Sequence, residues 1–283
     1  MKKDPIFIVG LHRSGVNFLG NLLSPQQTLQ MIHAEYLESL IYDEVLNKKR
    51  EHNKLIQDMY DAMYDANHKR IIHPCYFNLW RVLLLQRQFP RAKFACLIRD
   101  PFSGIQSMMK QEITQTILSE KNWENYPIPN EFLGIVLSVV DSTLIGGKPY
   151  KEFTLAEKCA LRWAVHAKKI SKLVKSQPTS FIPVVFEKLI FNNNENMKKR
   201  YIKRISNYLE LTELFDIKEE MLNKSVMDTK FNFTEDERRQ MIKIILDYFK
   251  VEGGVNETLF PIRHYFAPDN NRFDLTTADV TGS

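Results

Sequence analysis

The sequence predicts an α/β fold, a single domain with a central parallel sheet flanked by helices. Three observations carry this expectation. Short runs rich in β-branched and aromatic residues recur at 5–10 (PIFIVG), 93–98 (KFACLI) and 180–186 (SFIPVVF). Each has the length and composition of a strand buried on both faces. The segments between them place apolar residues at helical spacing, and strands alternating with helices build parallel sheets.

The elements follow in order. The first strand ends at Gly10, and residues 14–24 then place Phe18, Leu19, Leu22 and Leu23 on one helical face. Residues 35–67 carry a broken helical stripe that includes Tyr36, Leu37, Leu40, Ile41 and Val45. Residues 76–88 (YFNLWRVLLLQRQ) read as one amphipathic helix, closed by Phe89-Pro90. The second strand stops at Arg99-Asp100-Pro101, and helix returns over 102–119. Residues 120–155 hold Pro127, Pro129, Gly134, Gly146, Gly147 and Pro149, a natural place for a lid or acceptor loop. A lysine-rich helix over 156–176 leads to the third strand, which Pro183 weakens. Helices are expected over 194–211 and 234–250. The domain spans 1–270, and 271–283 form a polar tail.

Composition narrows the function classes. The chain has 283 residues, of which 44% are hydrophobic and 26% charged, which suits a packed soluble core. Its net charge is +5, from 39 basic and 34 acidic residues. That suits an anionic ligand without pointing to nucleic acid, because Lys168-Lys169 and Lys198-Lys199-Arg200 read as solvated helix faces. Cys75, Cys96 and Cys159 form no CxxC pair, so neither a disulfide scaffold nor a metal site is expected. The apolar run at 6–10 is too short for a signal peptide, and no stretch reaches the roughly 18 apolar residues of a membrane span. A cytoplasmic protein with no membrane partner is expected.

The chemistry begins at Gly10-Leu11-His12-Arg13-Ser14-Gly15, which joins the first strand to the first helix. A GxxxxG turn in that context presents backbone N–H groups and a helix N-terminus to an anion. A Walker A loop would continue with Lys and then Ser or Thr, but Val16 and Asn17 stand there. The lysine that bridges terminal phosphates and the hydroxyl that holds Mg²⁺ are therefore missing, and Arg13 supplies the cation. This argues against an ATPase or kinase. The competing reading is a glycine turn that only joins strand to helix.

A second anion segment lies at the end of the second strand. Arg99 stands where ligands of open α/β sheets gather, and Ser107 follows on the next helix. An arginine fork and a serine hydroxyl from one corner can share a phosphate. By spacing alone, an Arg99–Asp100 surface pair with an ordinary helix serine is the favoured reading.

Taken together, the chain resembles the PAPS-dependent sulfotransferases, where PAPS is 3′-phosphoadenosine 5′-phosphosulfate. IFIVGLHRSGVNFLGNLL looks like the family's 5′-phosphosulfate loop, and FPRAKFACLIRDPFSGIQS looks like its 3′-phosphate segment. VVFEKL at 184–189 is similar to a later family strand that often ends in YEDL. The resemblance covers residues 5–211 and implies a P-loop-like sulfotransferase architecture. It implies that Arg13, Ser14 and Gly15, with His12, Val16, Asn17 and Phe18 around them, hold the 5′-phosphosulfate of PAPS. It gives the 3′-phosphate to Arg99 and Ser107. The family's two loop threonines are Val16 and Asn17 here, its tryptophan is Phe18, and Phe186 replaces a tyrosine.

Sulfuryl transfer needs a base for the acceptor proton and cations for the leaving phosphate. His73 lies between the two anion segments, and Lys69 and His73 repeat a Lys-x-x-x-His spacing seen in the family. The competing reading makes His73 a residue that packs a strand end before Pro74. Glu35 is the rival base, as some branches of the family use an early acidic residue, and His33 is a further candidate. Lys69 or Arg13 would assist the leaving group. Trp80, Trp163, Tyr60 and Tyr64 are candidates for an acceptor pocket, with core packing as the plainer reading. The expected activity is transfer from PAPS, without metal, to a hydroxyl or amine of a small-molecule acceptor, releasing PAP. A phosphate-loop nucleotide kinase and a non-catalytic nucleotide-binding protein are the alternatives.

Overall fold

The computed structural model describes residues 4–11, 13–32, 54, 57–62, 65, 68–110, 145–190, 194–215, 217 and 233–251. Five strands form one parallel sheet: β1 (Ile6–Gly10), β2 (Leu29–Met31), β3 (Arg70–Pro74), β4 (Lys93–Ile98) and β5 (Phe181–Val185). Their order is β2-β3-β1-β4-β5. The described helices are α1 (Val16–Leu23), α2 (Val82–Gln88), α3 (Pro101–Met109), α4 (Leu155–Ser176), α5 (Phe186–Ile190), α6 (Glu195–Tyr208) and α7 (Glu235–Val251).

The pleat of β1 divides the interior into two cores. Phe7 and Val9 face one side, where they join residues of α2, α3, α4 and α7. Ile6 and Ile8 face the other, where α1, α5 and α6 pack. β1 and β4 thus bury both faces, which is why each reads as a continuous apolar run. On the first face a row of rings crosses the sheet. His73 lies opposite Phe7, Phe7 opposite Phe94, and Phe94 opposite Phe181. The phenylalanines stack at 5.1 and 4.7 Å between centroids, which adds to the apolar burial of each ring.

The structure adds two strands that the sequence pattern conceals. β2 is only three residues long, and β3 mixes Arg70, His73 and Pro74 with two isoleucines. Residues 76–88, expected as one helix, divide into a 3₁₀ turn at Tyr76–Leu79 and helix α2. The turn is pinned by Asn78, whose amide donates to His73 Nδ1 at 3.1 Å and accepts from Arg81 Nη1 at 3.3 Å. Pro183 is tolerated because β5 lies at the edge of the sheet.

The far end of the irregular 120–155 segment is well anchored. Ile145, Tyr150 and Phe153 are buried, and Gly146 and Gly147 turn against Ile244 and Lys243 of α7. Residues 120–144, the tail at 271–283 and most of 35–67 lie outside the described residues, although 57–62 are helical as expected. Among the described residues, no helix is long and apolar enough to cross a membrane.

Candidate anion site at the carboxyl edge of the sheet

From β1 the chain runs to β2 on one flank of the sheet, and from β4 to β5 on the other. The carboxyl ends of the adjacent strands β1 and β4 therefore flank a switch point, where open α/β sheets bind ligands. The loop after β1 and the corner after β4 meet there.

Two close approaches shape the loop. A Cβ on Gly10 would stand 2.5 Å from Ser14 Oγ and 2.8 Å from the Leu97 carbonyl oxygen. Gly15 has φ +96, and a Cβ there would meet the Phe186 ring at 2.5 Å. Arg13 also adopts a left-handed conformation, with φ 68. A side chain rarely holds that conformation unless its surroundings fix it. The Ser14 amide donates to the Leu11 carbonyl at 2.9 Å, so it closes the turn rather than facing a ligand. Ser14 Oγ is buried without a hydrogen-bond partner among the described residues. Helix α1 begins at Val16 with no side-chain cap. The N–H groups of Val16, Asn17 and Phe18 thus remain for an anion at the positive end of the helix.

The sequence-predicted cations converge on this loop. Arg13 Nε donates to Ser107 Oγ at 3.1 Å, and Arg99 Nη1 donates to the Arg13 carbonyl at 2.7 Å. These bonds join the two candidate anion segments. The Arg99 guanidinium lies 5.0 Å from the centroid of the Phe186 ring, and Phe18 meets the same ring edge-on at 5.4 Å. Phe186 therefore supports Gly15, Phe18 and Arg99 together. Arg99 is buried while Arg13 and Asn17 are exposed. Burial lowers the Arg99 pKa from its usual value, Glu187 and Asp100 oppose that shift, and Arg13 adds to it.

The corner behind Arg99 is held from three directions. Asp100 caps α3, accepting from the Ser103 amide at 2.8 Å and the Ser103 hydroxyl at 2.9 Å. Trp163 of α4 donates its indole N–H to the Arg99 carbonyl at 3.0 Å. Glu187 Oε1 accepts the Asp100 amide at 3.0 Å. Glu187 was not singled out by sequence reasoning, and the acidic position in VVFEKL was its one signal. Its side chain is buried, which raises its pKa to about 7; the nearby Asp100 charge adds to the rise, and the Asp100 amide and Arg99 oppose it.

His73 and Lys69 stand apart from this cluster. Lys69 immediately precedes β3, which runs parallel to β1, so it lies at the opposite edge of the sheet from the loop. His73 is fully buried in the ring row, opposite Phe7. Its Nδ1 faces the Tyr60 hydroxyl and the Asn78 amide. Arg81 holds the Asn78 oxygen, so the amide nitrogen donates to Nδ1. The neutral ring then carries its proton on Nε2, which is buried with no partner among the described residues. Burial, with a smaller contribution from Arg81, lowers the His73 pKa to about 3. His12, Glu35, His33 and Tyr64 lie outside the described residues. Trp163 is buried against the corner, and Trp80 packs edge-on to His166 at 5.2 Å with Lys169 Nζ 4.0 Å above its ring. Among the described residues, no cluster of three or more His, Cys, Asp or Glu side chains could hold a metal ion.

No protein-family model matches the chain, and no curated protein matches it at significance. Among solved structures, the chain aligns with a sulfotransferase domain from the curacin biosynthetic pathway at 13% identity and TM-score 0.47, covering 96% of this chain and 95% of that one. It also aligns with a sulfotransferase domain from the Synechococcus PCC 7002 olefin synthase at 16% identity and TM-score 0.45, covering 95% and 97%. A third alignment, to sulfotransferase STF9 from Mycobacterium avium, has 10% identity and TM-score 0.44, covering 89% and 77%.

Proposed function

We propose that the protein is a sulfotransferase that moves a sulfuryl group from PAPS to a hydroxyl or amine of a small-molecule acceptor and releases PAP. One observation carries the reading: Arg13 of the loop bonds Ser107 of the second segment, and Arg99 bonds the loop backbone. The two candidate segments thus meet at one end of the sheet, which supports a ligand phosphorylated at both its 3′ and 5′ positions.

In this reading, Arg99 and Ser107 hold the 3′-phosphate. Arg13 and the amides of Val16, Asn17 and Phe18 hold the 5′-phosphosulfate, and Ser14 and Gly15 shape the loop. Transfer breaks the bond between sulfur and the bridging phosphate oxygen and forms one between sulfur and the acceptor atom, whose proton passes to Glu35, the rival base, or to solvent. Arg13 and the helix N-terminus stabilise the charge left on the 5′-phosphate. His73 serves the fold rather than the reaction, because its free nitrogen carries a proton and its ring lies inside the sheet.

Calorimetry with PAP, PAPS and Mg·ATP tests the proposal. PAP is expected to bind without metal, and Arg99→Ala to weaken it by roughly 10- to 100-fold, the loss expected when a charge-assisted phosphate contact is removed. Preference for Mg·ATP, or no binding of PAP, sinks the reading.

A further inference from the structure

Among the described residues, four charged side chains meet at this corner: Arg13 and Arg99, which carry positive charge, and Asp100 and Glu187, which carry negative charge when ionised. With Glu187 ionised their formal charges cancel; with Glu187 protonated the cluster is positive by one. A phosphate arriving on Arg99 therefore meets a neutral or a cationic site according to one buried carboxyl group.

The geometry around that group is specific. Oε1 accepts the Asp100 amide, while Oε2 is buried without a hydrogen-bond partner among the described residues. A carboxylate with an unpartnered buried oxygen is held in its charged form mainly by nearby cations. Arg99 is such a cation, and the two are electrostatically coupled. The surroundings supply few others. Asp100 opposes ionisation. From α6, the Tyr201 hydroxyl accepts the Val185 amide at the end of β5 at 2.7 Å, and Lys188 is the sequence neighbour of Glu187. From α4, Trp163 contributes a neutral indole, and α3 contributes the neutral Ser107. On the loop, Arg13 has His12 as its neighbour in sequence. When a phosphate dianion engages Arg99, the support for Glu187 as an anion is divided and a second negative charge arrives.

We propose that Glu187 is a positioning residue of the nucleotide site, fixing the β4–α3 corner through the Asp100 amide and taking up a proton when a phosphate docks on Arg99. This rests on the nucleotide reading above and extends it to the ionic state in which the site accepts its ligand. The proton moves from solvent to Oε2, which gives that oxygen a hydrogen to donate. Anion affinity then falls as pH rises and Glu187 ionises in the free protein.

The test is PAP calorimetry on the full chain near pH 7.5, in buffers of different ionisation enthalpy, with wild type, Glu187→Gln and His12→Asn. The glutamine keeps an oxygen for the Asp100 amide and cannot titrate. Wild type is expected to take up roughly half a proton or more per PAP, and Glu187→Gln close to none. His12→Asn is expected to keep the wild-type proton uptake per PAP bound, whatever its effect on affinity. Equal uptake in wild type and Glu187→Gln, or loss of uptake in His12→Asn instead, overturns the assignment and leaves the nucleotide site standing. The wild-type affinity measured from pH 7 to 9 serves even where a variant misfolds. A loss of roughly tenfold is expected, one pK unit of linkage, and a flat profile overturns the assignment. Absence of PAP binding overturns this inference and the proposed function together.

Discussion

Gly15 shows how tightly single residues set this site. Its φ of +96 and the Phe186 ring beside it leave no room for a methyl group. Gly15→Ala is expected to destabilise the protein by about 1–3 kcal/mol in urea titrations, the sum of left-handed strain and the ring displaced. It should also weaken PAP. Adding Phe186→Leu should restore part of the stability, because the contact is with the ring itself. An unchanged urea midpoint for Gly15→Ala would contradict this geometry. The meeting of Arg13, Arg99 and Ser107 was foreshadowed in the sequence because each lies in a local strand-to-helix pattern with its own spacing. Glu187 was not, since its role is set by the Asp100 amide, which lies across the sheet and far away in sequence. For His73 the sequence offers only a position between two motifs, while its register opposite Phe7 is visible only once β3 is paired.

At the scale of elements, α4 forms the floor under the β4–α3 corner. It starts with a reciprocal capping box: Thr154 Oγ1 accepts the Glu157 amide at 3.3 Å, and Glu157 accepts the Thr154 amide at 2.6 Å. The Glu157 carboxylate also meets Lys148 Nζ at 2.9 Å. Thr154→Ala is expected to cost about 1 kcal/mol of stability by chemical denaturation, while PAP affinity stays within roughly twofold, since Trp163, which holds the Arg99 carbonyl, lies in the helix interior away from the cap. A large loss of PAP binding with unchanged stability would mean that the cap acts on the site directly. Helices were the most legible elements, with α4 and α7 falling within a residue or so of expectation. The strand β3 was concealed because Arg70 bonds the Asp4 carbonyl at 2.8 Å and His73 bonds Tyr60, so its polar residues are buried in ways that no alternation reveals.

For the whole molecule, His73 and Glu187 pull stability in opposite directions with pH. The folded protein holds His73 neutral down to about pH 3, whereas the unfolded chain protonates it near pH 6.5. The unfolded state therefore binds more protons between those values, and this contribution to stability is lost as pH falls. Glu187 is raised to about 7 in the fold, so between roughly pH 4.5 and 7 the folded state binds more protons and its contribution is lost as pH rises. Urea midpoints from pH 7 to 4 should therefore fall more steeply in wild type than in His73→Gln. Parallel curves would show that His73 does not titrate differently on unfolding. The Arg13–Ser107 bond has a further consequence. It joins positions 94 residues apart in the chain, and the contact exists only after β1 and β4 have paired. A ligand that spans both segments recognises a paired β1 and β4 and no earlier form, so it acts as a removable staple between two distant stretches of the chain. Its binding energy is added to the native state alone, and a cell rich in that ligand would hold more of the chain folded.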